Sequence, residues 1–582
     1  MKATDLLAKF LKKNNVRNVF GLQGGAVAHI FDSIEKAKIK VTYTHHEQCA
    51  SLAAVSYSKV SGNVGCAVVT TGPGSTNAIT GLLAAWQDSI PCIFISGQAR
   101  SDHVSYNKKV RQVGTQEVNI CDIVRPITKY TKFLKDKKNL YQELCKAYKI
   151  AITGRPGPVW LDFALELQWS DIDLKNFKIE KIDIDKTINF KVNKQKKSFL
   201  SLCKQSKKPL LVLGYGLRLS DFNLSKLKYF IKKQNIPFVL TWNSADFYPT
   251  DHPLNLGIIG MSGQRGANKA IFDSDLIICL GTHLSIPHTT TLYHNYAPNS
   301  KKIIVNIDKD QLKNLNVKFD LKINSDVSHF LEKIDKKKVC PEISWTNLKN
   351  YKEKNWYNIK KSKKINSNFF VREFTSQMKK NSCIVVDGGG TALYSGFQSS
   401  IISSSQRIIC SSSISSMGTG LAESLGVYAS NKFEQIACII GDGSFFMNIQ
   451  DLHNVAKKKI NIKIILVNNN GYLAIRNTQK EFLNKKYYGT NPGGGLTMPK
   501  FKNCNKLFDL TYFSLTSNKN LKKNINKILK TKGPVLCELF TDEDQPSLFK
   551  QGYKKNENNK FEPQPLSEMY PFIESPISNT NN

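Results

Sequence analysis

The chain has 582 residues, 41% of them hydrophobic and 10% aromatic, and a formal charge of +37 at neutral pH. That length needs more than one core, and that composition excludes a disordered or collagen-like chain. No apolar run approaches the roughly 20 residues that span a bilayer, and the 13 scattered cysteines, with no CxxC pair, read as reduced thiols of a cytoplasmic protein. The positive charge is mostly Lys, spread along the chain beside abundant Asn and Ile, without zinc-ligand spacing or an aromatic–basic signature. It predicts attraction for anionic metabolites and salt sensitivity rather than nucleic-acid binding.

The first segment, MKATDLLAKFLKKNN, has a broken apolar pattern that predicts an amphipathic helix, not a signal peptide. Residues 1–170 then alternate helical patterns with the β-rich runs VRNVFGL, KVTYTH, GCAVVTT, PCIFISG and PVWLDFA. Strands alternating with helices predict a parallel, doubly wound sheet. A charged stretch over 170–197 reads as a linker. Residues 198–335 repeat the rhythm in PLLVLGYG, IPFVLTW, SDLIICLG and KKIIVNID, and a Lys-rich stretch over 335–366 separates a third block. That block, 367–545, contains CIVVDGGG, IACIIGDGS, IKIILVNNN and PVLCELF. The expected fold class is α/β, with three doubly wound parallel-sheet domains. Residues 546–582 are polar with scattered Pro and read as either a flexible tail or a lid.

The third block carries the sharpest chemical signal. One apolar run ends in Gly441-Asp442-Gly443-Ser444, and a second, one strand–helix–strand unit later, ends in Asn468-Asn469-Asn470. Parallel strands deliver both ends to the same sheet edge, where open α/β sheets bind ligands. Asp and Asn oxygens suit Mg²⁺, which uses few protein ligands beside phosphate oxygens, and glycines at a helix start let the backbone approach a phosphate. Gly388-Gly389-Gly390-Thr391, after CIVVD, offers a second row of amides for a diphosphate. Glu47 ends the run KVTYTHHE and opens a helix, a position that suits a cap as well as a catalyst. Gly214-Tyr215-Gly216 lacks the third glycine of a dinucleotide fingerprint and reads as a strand-end turn.

GDG, a spacer and NN is the signature of the thiamine diphosphate enzymes, which the chain resembles over nearly its whole length. The acetolactate synthase large-subunit branch is resembled in particular, through NVFGLQGGAVAHIFDSI, THHEQCASLAA, TTGPGSTNAITGLLAAWQDSIPCIFISGQ, QEVNICDIVRPITKY, GRPGPVWLDFALELQ and MGTGLAESLG. The resemblance implies a pyrimidine-binding, a central and a diphosphate-binding domain. It implies thiamine diphosphate and Mg²⁺, the metal held by Asp442, Asn469 and the carbonyl of Gly471. Glu47 corresponds to the glutamate that hydrogen-bonds the cofactor's pyrimidine and relays a proton. Met417 corresponds to the large apolar residue that props the cofactor into its bent shape. Gly390, Thr391, Gly443, Ser444 and Tyr472 fall among the cofactor-binding positions. Gly25 of the Gly24-Gly25 pair and Gln116 correspond to residues beside the reacting carbon. His45-His46, directly before Glu47, is given a packing or supporting role. The resemblance also implies a homodimer or homotetramer that shares each cofactor between subunits, and it raises a regulatory subunit as a partner.

The implied reaction is pyruvate decarboxylation with transfer of the two-carbon unit to a second 2-oxo acid, as in branched-chain amino acid biosynthesis. Several positions depart from that pattern. Thr478 stands where a tryptophan shapes the acceptor pocket, Ala474 replaces a methionine, Thr115 a phenylalanine and Gln23 a proline. These changes predict a wider, more polar pocket, with Arg476 either meeting an anionic acceptor or standing as a solvated helix charge. They keep a second reading open, a decarboxylase or a carboligase acting on a keto-sugar nucleotide. A non-catalytic basic binding protein is the alternative from a different class. The run 281–287 departs from the family's flavin-holding motif, so FAD is left open.

Overall fold

The computed structural model describes residues 1–106, 108–173, 179–182, 193–220, 224–334, 338–356 and 364–572. The first domain contributes β1 (Asn18–Gly21), β2 (Lys40–Tyr43), β3 (Gly65–Val69), β4 (Cys92–Gln98), β5 (Tyr130–Leu134) and β6 (Val159–Ala164), paired in parallel in the order β2-β1-β3-β4-β6-β5. The central domain contributes β7 (Pro209–Leu213), β8 (Phe238–Leu240), β9 (Asn255–Ile258), β10 (Leu276–Leu280), β11 (Lys301–Asn306) and β12 (Leu321–Asn324), in the order β12-β11-β10-β7-β8-β9. The third contributes β13 (Ser382–Val386), β14 (Arg407–Ile409), β15 (Gln435–Gly441), β16 (Ile462–Asn468), β17 (Thr511–Leu515) and β18 (Val535–Phe540), in the order β14-β13-β15-β16-β18-β17. Counted within each domain, the first and third sheets share one strand order; the central sheet has another.

The inner strands are mostly apolar because helices cover both sheet faces. β4 and β13 are buried at every residue, and β15 and β16 at all but their last. The helices Glu47–Ser61 and Thr419–Ala429, which follow β2 and β14, pack on each other and join the first domain to the third. Small residues make the approach close: a Cβ on Gly426 would run into the carbonyl of Ala53, and Ser56 Oγ donates to the Glu423 carbonyl at 2.8 Å. The Glu47–Ser61 helix is buried nearly all round, its polar positions filled mainly by small serines that let neighbours approach. Asp88 ties the three domains together: Lys59 Nζ sits 2.8 Å from it and also reaches the Cys410 carbonyl, while Asn243 Nδ2 donates to its other oxygen at 3.2 Å.

Three segments differ from the sequence reading. The helix Asn193–Gln205 begins inside the stretch taken as the first linker, of which 174–178 and 183–192 lie outside the described residues. The Lys-rich stretch 335–366 docks on the central domain instead of merely separating blocks. Asn355 accepts from the amide of Gly266 at 2.7 Å and donates to the Leu256 carbonyl at 2.8 Å, and Trp345 Nε1 donates to the Pro209 carbonyl at 2.7 Å. Residues 335–337 and 357–363 of it lie outside the description. The C-terminal segment is an ordered strap up to 572, with Lys550–Gln551 pairing antiparallel to Met569–Tyr570 and Tyr553–Lys555 to Phe561–Pro563. Phe549 and Met569 are fully buried, and Arg265 donates to the carbonyls of Met569 and Pro571. Residues 573–582 lie outside the description.

Candidate functional site

The C-terminal edge of the third sheet gathers the diphosphate candidates. β15 ends at Gly441, and Asp442 opens the helix Asp442–Met447. The Asp442 carboxylate accepts from the amides of Gly443 (2.8 Å), Gly471 (2.9 Å) and Asn469 (3.2 Å). Burial pushes its carboxyl up to about 6, against the pull of those three amides. β15 and β16 are adjacent, with Gly441 opposite Val467, so the GDGS and NNN ends lie side by side as the spacing predicts. Asn469 is buried, and its side-chain oxygen Oδ1 has no partner. A buried, unsatisfied amide oxygen beside a buried carboxylate is what a cation site needs to satisfy it.

The glycine run after β13 forms the second wall. Gly389 caps the helix Gly390–Ser399. Side chains at Gly389 or Gly390 would collide with Ser444 Oγ or lie 2.5 Å from Ala474 Cβ, so these positions admit only backbone. Asp387, fully buried, holds the run by accepting from the amides of Gly389 (2.8 Å) and Gly420 (2.9 Å). Met417, from the loop after β14, lies close to both glycine groups: its Cγ is 3.4 Å from a Cβ built on Gly389, and its Cε is 3.3 Å from one built on Gly443. The ring of Tyr472 lies against Gly443 from the other side. Gly390, Thr391, Met417, Asp442, Gly443, Ser444, Asn469, Gly471 and Tyr472 are thus brought together at one edge.

The first sheet assembles a second group on its own C-terminal edge. Glu47 is the first residue of its helix, but the cap is His46, whose Nδ1 accepts from the Gln48 amide at 3.1 Å. Glu47 is instead buried at 7% exposure, with Asn77 Nδ2 donating to its Oε2 at 3.0 Å and Gly74 close to Oε1. Gly25 faces open space. Gln116 sits at φ 59° in the left-handed region, its carbonyl 3.1 Å from the Thr71 hydroxyl. That hydroxyl lies 2.8 Å from Gln98 Oε1, and Gln98 Nε2 donates to Asp162 Oδ2 at 3.0 Å. Asp162 is fully buried and also accepts from Ser96 (2.5 Å) and Tyr106 (3.1 Å); burial pushes its carboxyl up to about 7. Among the described residues, the side-chain hydrogen bonds of Glu47 stay within the first domain and those of Asp442 within the third.

Matches to known proteins fall on this framework. The N-terminal TPP binding domain of the thiamine pyrophosphate enzymes matches residues 1–123, their central domain 197–334 and their C-terminal TPP binding domain 388–539. The chain is 31% identical to the acetolactate synthase large subunit of Haemophilus influenzae over 490 residues, covering 81% of this chain and 82% of that one. It belongs to the thiamine pyrophosphate enzyme family. It is also 29% identical over 568 residues to the acetolactate synthase large subunit of Cyanidium caldarium (92% and 93% covered) and 26% identical over 550 to the isozyme 2 large subunit of Escherichia coli K12 (93% and 96%). Thiamine diphosphate, the same compound as thiamine pyrophosphate, is accordingly the cofactor of this thiamine pyrophosphate enzyme, with Mg²⁺ its usual companion. The unpartnered Asn469 oxygen and the side-chain-free wall at Gly389 and Gly390 fit that pair.

One reading made from the residues changes. Arg476 is neither solvated nor free to meet an acceptor: it is 3% exposed and committed to main-chain carbonyls. Gly214-Tyr215-Gly216 is the turn at the end of β7 that the spacing predicts. β7 and β10 flank the point where the central strand order reverses, and Gly216, Gly281, Thr282 and His283 line a cavity of about 150 Å³ there, shared with Asp88, Arg155 and Ser412. Burial pulls His283 down to about 4 and His288 to about 3, so both rings are neutral there. Gly214 and Gly216 lie against the backbone of Gly281, so neither position has room for a side chain.

Residues that the sequence reading passed over also matter. Asn77, Asp387 and Asn448 hold Glu47, the glycine run and the Gly418 carbonyl respectively. Asp387, an Asp between a strand and a glycine run, is the one with a visible signal. Among the described residues no helix is long and apolar enough to cross a membrane.

Proposed function

We propose that this chain is a pyruvate-using carboligase that joins a two-carbon unit to a 2-oxo acid, giving acetolactate when the acceptor is a second pyruvate. The observation that carries the reading is the pair of furnished sheet edges, one with a buried glutamate and open glycine, the other with a carboxylate, an unpaired amide oxygen and a glycine wall. Bound thiamine diphosphate supplies the electron sink through which a 2-oxo acid loses CO₂. Asp442, Asn469 and the Gly471 carbonyl would hold Mg²⁺; Gly390, Thr391, Gly443 and Ser444 would receive the diphosphate. Met417 and Tyr472 would fix the cofactor's shape. Glu47 would hold and return a proton at the pyrimidine ring, a task suited to a carboxyl shielded from water and oriented by Asn77. Gln116 and Gly25 would border the reacting carbon, where Gly25 leaves room for substrate.

A homodimer is the smallest unit of this reading. Gly25 and Gln116 face outward in the single chain, and Phe446 and Met447, two and three residues after GDGS, are 51% and 48% exposed. A second copy would cover those apolar side chains and bring Glu47 of one subunit to Asp442 of the other. The relatives are named as large subunits, which extends the reading to a regulatory subunit. Assignment to the cytoplasm rests on the free cysteines, twelve of them buried.

One observation favours a second acceptor. Thr478, Thr115 and Gln23 are all exposed and polar where the acetolactate synthase pattern is bulky and apolar, which suits a keto-sugar. The test is to supply pure protein with thiamine diphosphate, Mg²⁺ and pyruvate and to identify the products. Acetolactate is expected; acetaldehyde alone marks a decarboxylase, and product only with an added keto-sugar marks the second acceptor. No CO₂ from pyruvate or other 2-oxo acids overturns the enzymatic reading.

A further inference from the structure

Arg476 lies in the helix Leu473–Phe482, one turn beyond the Asn468–Tyr472 segment. Its guanidinium is buried and donates to four main-chain carbonyls. Nη1 reaches those of Thr490 (2.9 Å) and Asn470 (3.1 Å); Nη2 reaches those of Asn469 (2.6 Å) and Glu543 (2.8 Å). The amides of the same turn point the other way, with Asn469 and Gly471 N–H both donating to Asp442 Oδ2 at 3.2 and 2.9 Å. The turn is therefore gripped on its carbonyl side by a buried cation and on its amide side by a buried anion. Between the two grips the backbone is strained, with Asn470 at φ 58° and Gly471 at φ 127°. Left-handed conformations of non-glycine residues persist only where the surroundings over-determine them. A side chain at Gly471 would collide with the Thr490 carbonyl and lie 3.1 Å from Arg476 Nη1.

We propose that Arg476 is the positioning residue of the metal site. By fixing the carbonyls of Asn469 and Asn470 it holds the turn in the conformation that leaves Asn469 Oδ1 unpaired beside Asp442, available to Mg²⁺. The proposal rests on reading Asp442, Asn469 and Gly471 as the Mg²⁺–diphosphate site. Arginine suits the task because its planar fork serves four carbonyls at once; a lysine ammonium keeps the charge but offers three donors from one point. Residues that hold a metal ligand from behind typically change metal affinity by roughly 10–100-fold when removed.

The full-length protein, Arg476→Gln, Arg476→Lys and Asp442→Asn are titrated with Mg²⁺ at a fixed thiamine diphosphate concentration, following the bound cofactor by equilibrium dialysis. The melting temperature of each without metal is recorded in parallel. Arg476→Gln is expected to raise the half-saturating Mg²⁺ concentration about 10–100-fold, with Arg476→Lys between it and the native protein and with full cofactor binding recovered at high Mg²⁺. If the glutamine variant does not fold, the lysine variant carries the test through the same shift. A folded variant whose half-saturation stays within about twofold of native, beside an Asp442→Asn that loses the response, overturns the role of Arg476 alone. A native protein with no Mg²⁺-dependent response overturns the metal reading and this proposal with it.

Discussion

The first and third domains share a strand order, and in each the second strand feeds a helix that packs against its counterpart in the other. What differs is the furniture of the two C-terminal edges. After β2 the first domain presents a buried glutamate held by an asparagine, and a separate threonine–glutamine–aspartate chain meets the Gln116 carbonyl. After β14 and β15 the third presents a methionine, glycines and a carboxylate wrapped in amides. One scaffold thus serves proton handling on one side and anion and cation binding on the other. The chemistry was set by the residues at strand ends, not by the fold.

The largest effect that separates the two edges is on cofactor binding. Asp442→Asn should weaken Mg²⁺-dependent thiamine diphosphate binding by more than about 100-fold, since a ligand itself outweighs the residues behind it. Glu47→Gln should leave that affinity within a few-fold. Equal losses in the two titrations would break the division of labour. For turnover the order reverses in kind: Glu47→Gln, though loaded with cofactor, should release CO₂ from pyruvate about 10²–10⁴-fold more slowly.

Mixing the two inactive variants joins the edges again. If each site takes Glu47 from one subunit and Asp442 from the other, hybrids carry one intact site and activity returns in part. Hybrids that demonstrably form yet stay silent would place both residues in one chain's site. A smaller effect tests the contact between the domains. Gly426→Ala drives a methyl group toward the Ala53 carbonyl and Ser56 Oγ and should lower stability by about 1–3 kcal/mol in denaturant unfolding. A neutral result would show that the helices part easily.

The smallest effect concerns Asp162. Its carboxyl is held at about 7 by burial, against an ordinary 3.8, so the folded state keeps the proton more tightly than the unfolded one. Its contribution to stability is therefore lost as pH rises from about 4 to about 7 and is constant above. Asp162→Asn should flatten that part of the stability–pH curve while leaving the region above pH 7 parallel to native.

Much of this was legible in the sequence, and what was not has a consistent physical cause. The runs CIFISG, LLVLG, IACIIG and IKIILV announced β4, β7, β15 and β16 because strands buried on both faces are largely apolar. The strands that no run announced, β5, β9, β12, β14 and β17, stand at or beside an edge of their sheets, where half-exposed backbone needs no continuous apolar signal. At the site, Asp442 and Asn469 were legible because their spacing is that of adjacent parallel strands. Arg476 was misread because helical periodicity does not show that a neighbouring loop folds over it; Thr490 and Glu543, whose carbonyls bury it, lie far along the chain. The pattern left Glu47 open as cap or catalyst; the cap is His46, whose ring nitrogen serves where Ser or Asp is usual.

The most direct test of the division between the two edges is exchange of the thiazolium C2 proton of bound thiamine diphosphate for deuterium, followed by NMR after acid quench. Native protein and Glu47→Gln are compared at equal cofactor occupancy. The account predicts that the variant binds the cofactor and exchanges that proton orders of magnitude more slowly than the native enzyme. Exchange at the native rate in fully loaded Glu47→Gln would contradict it.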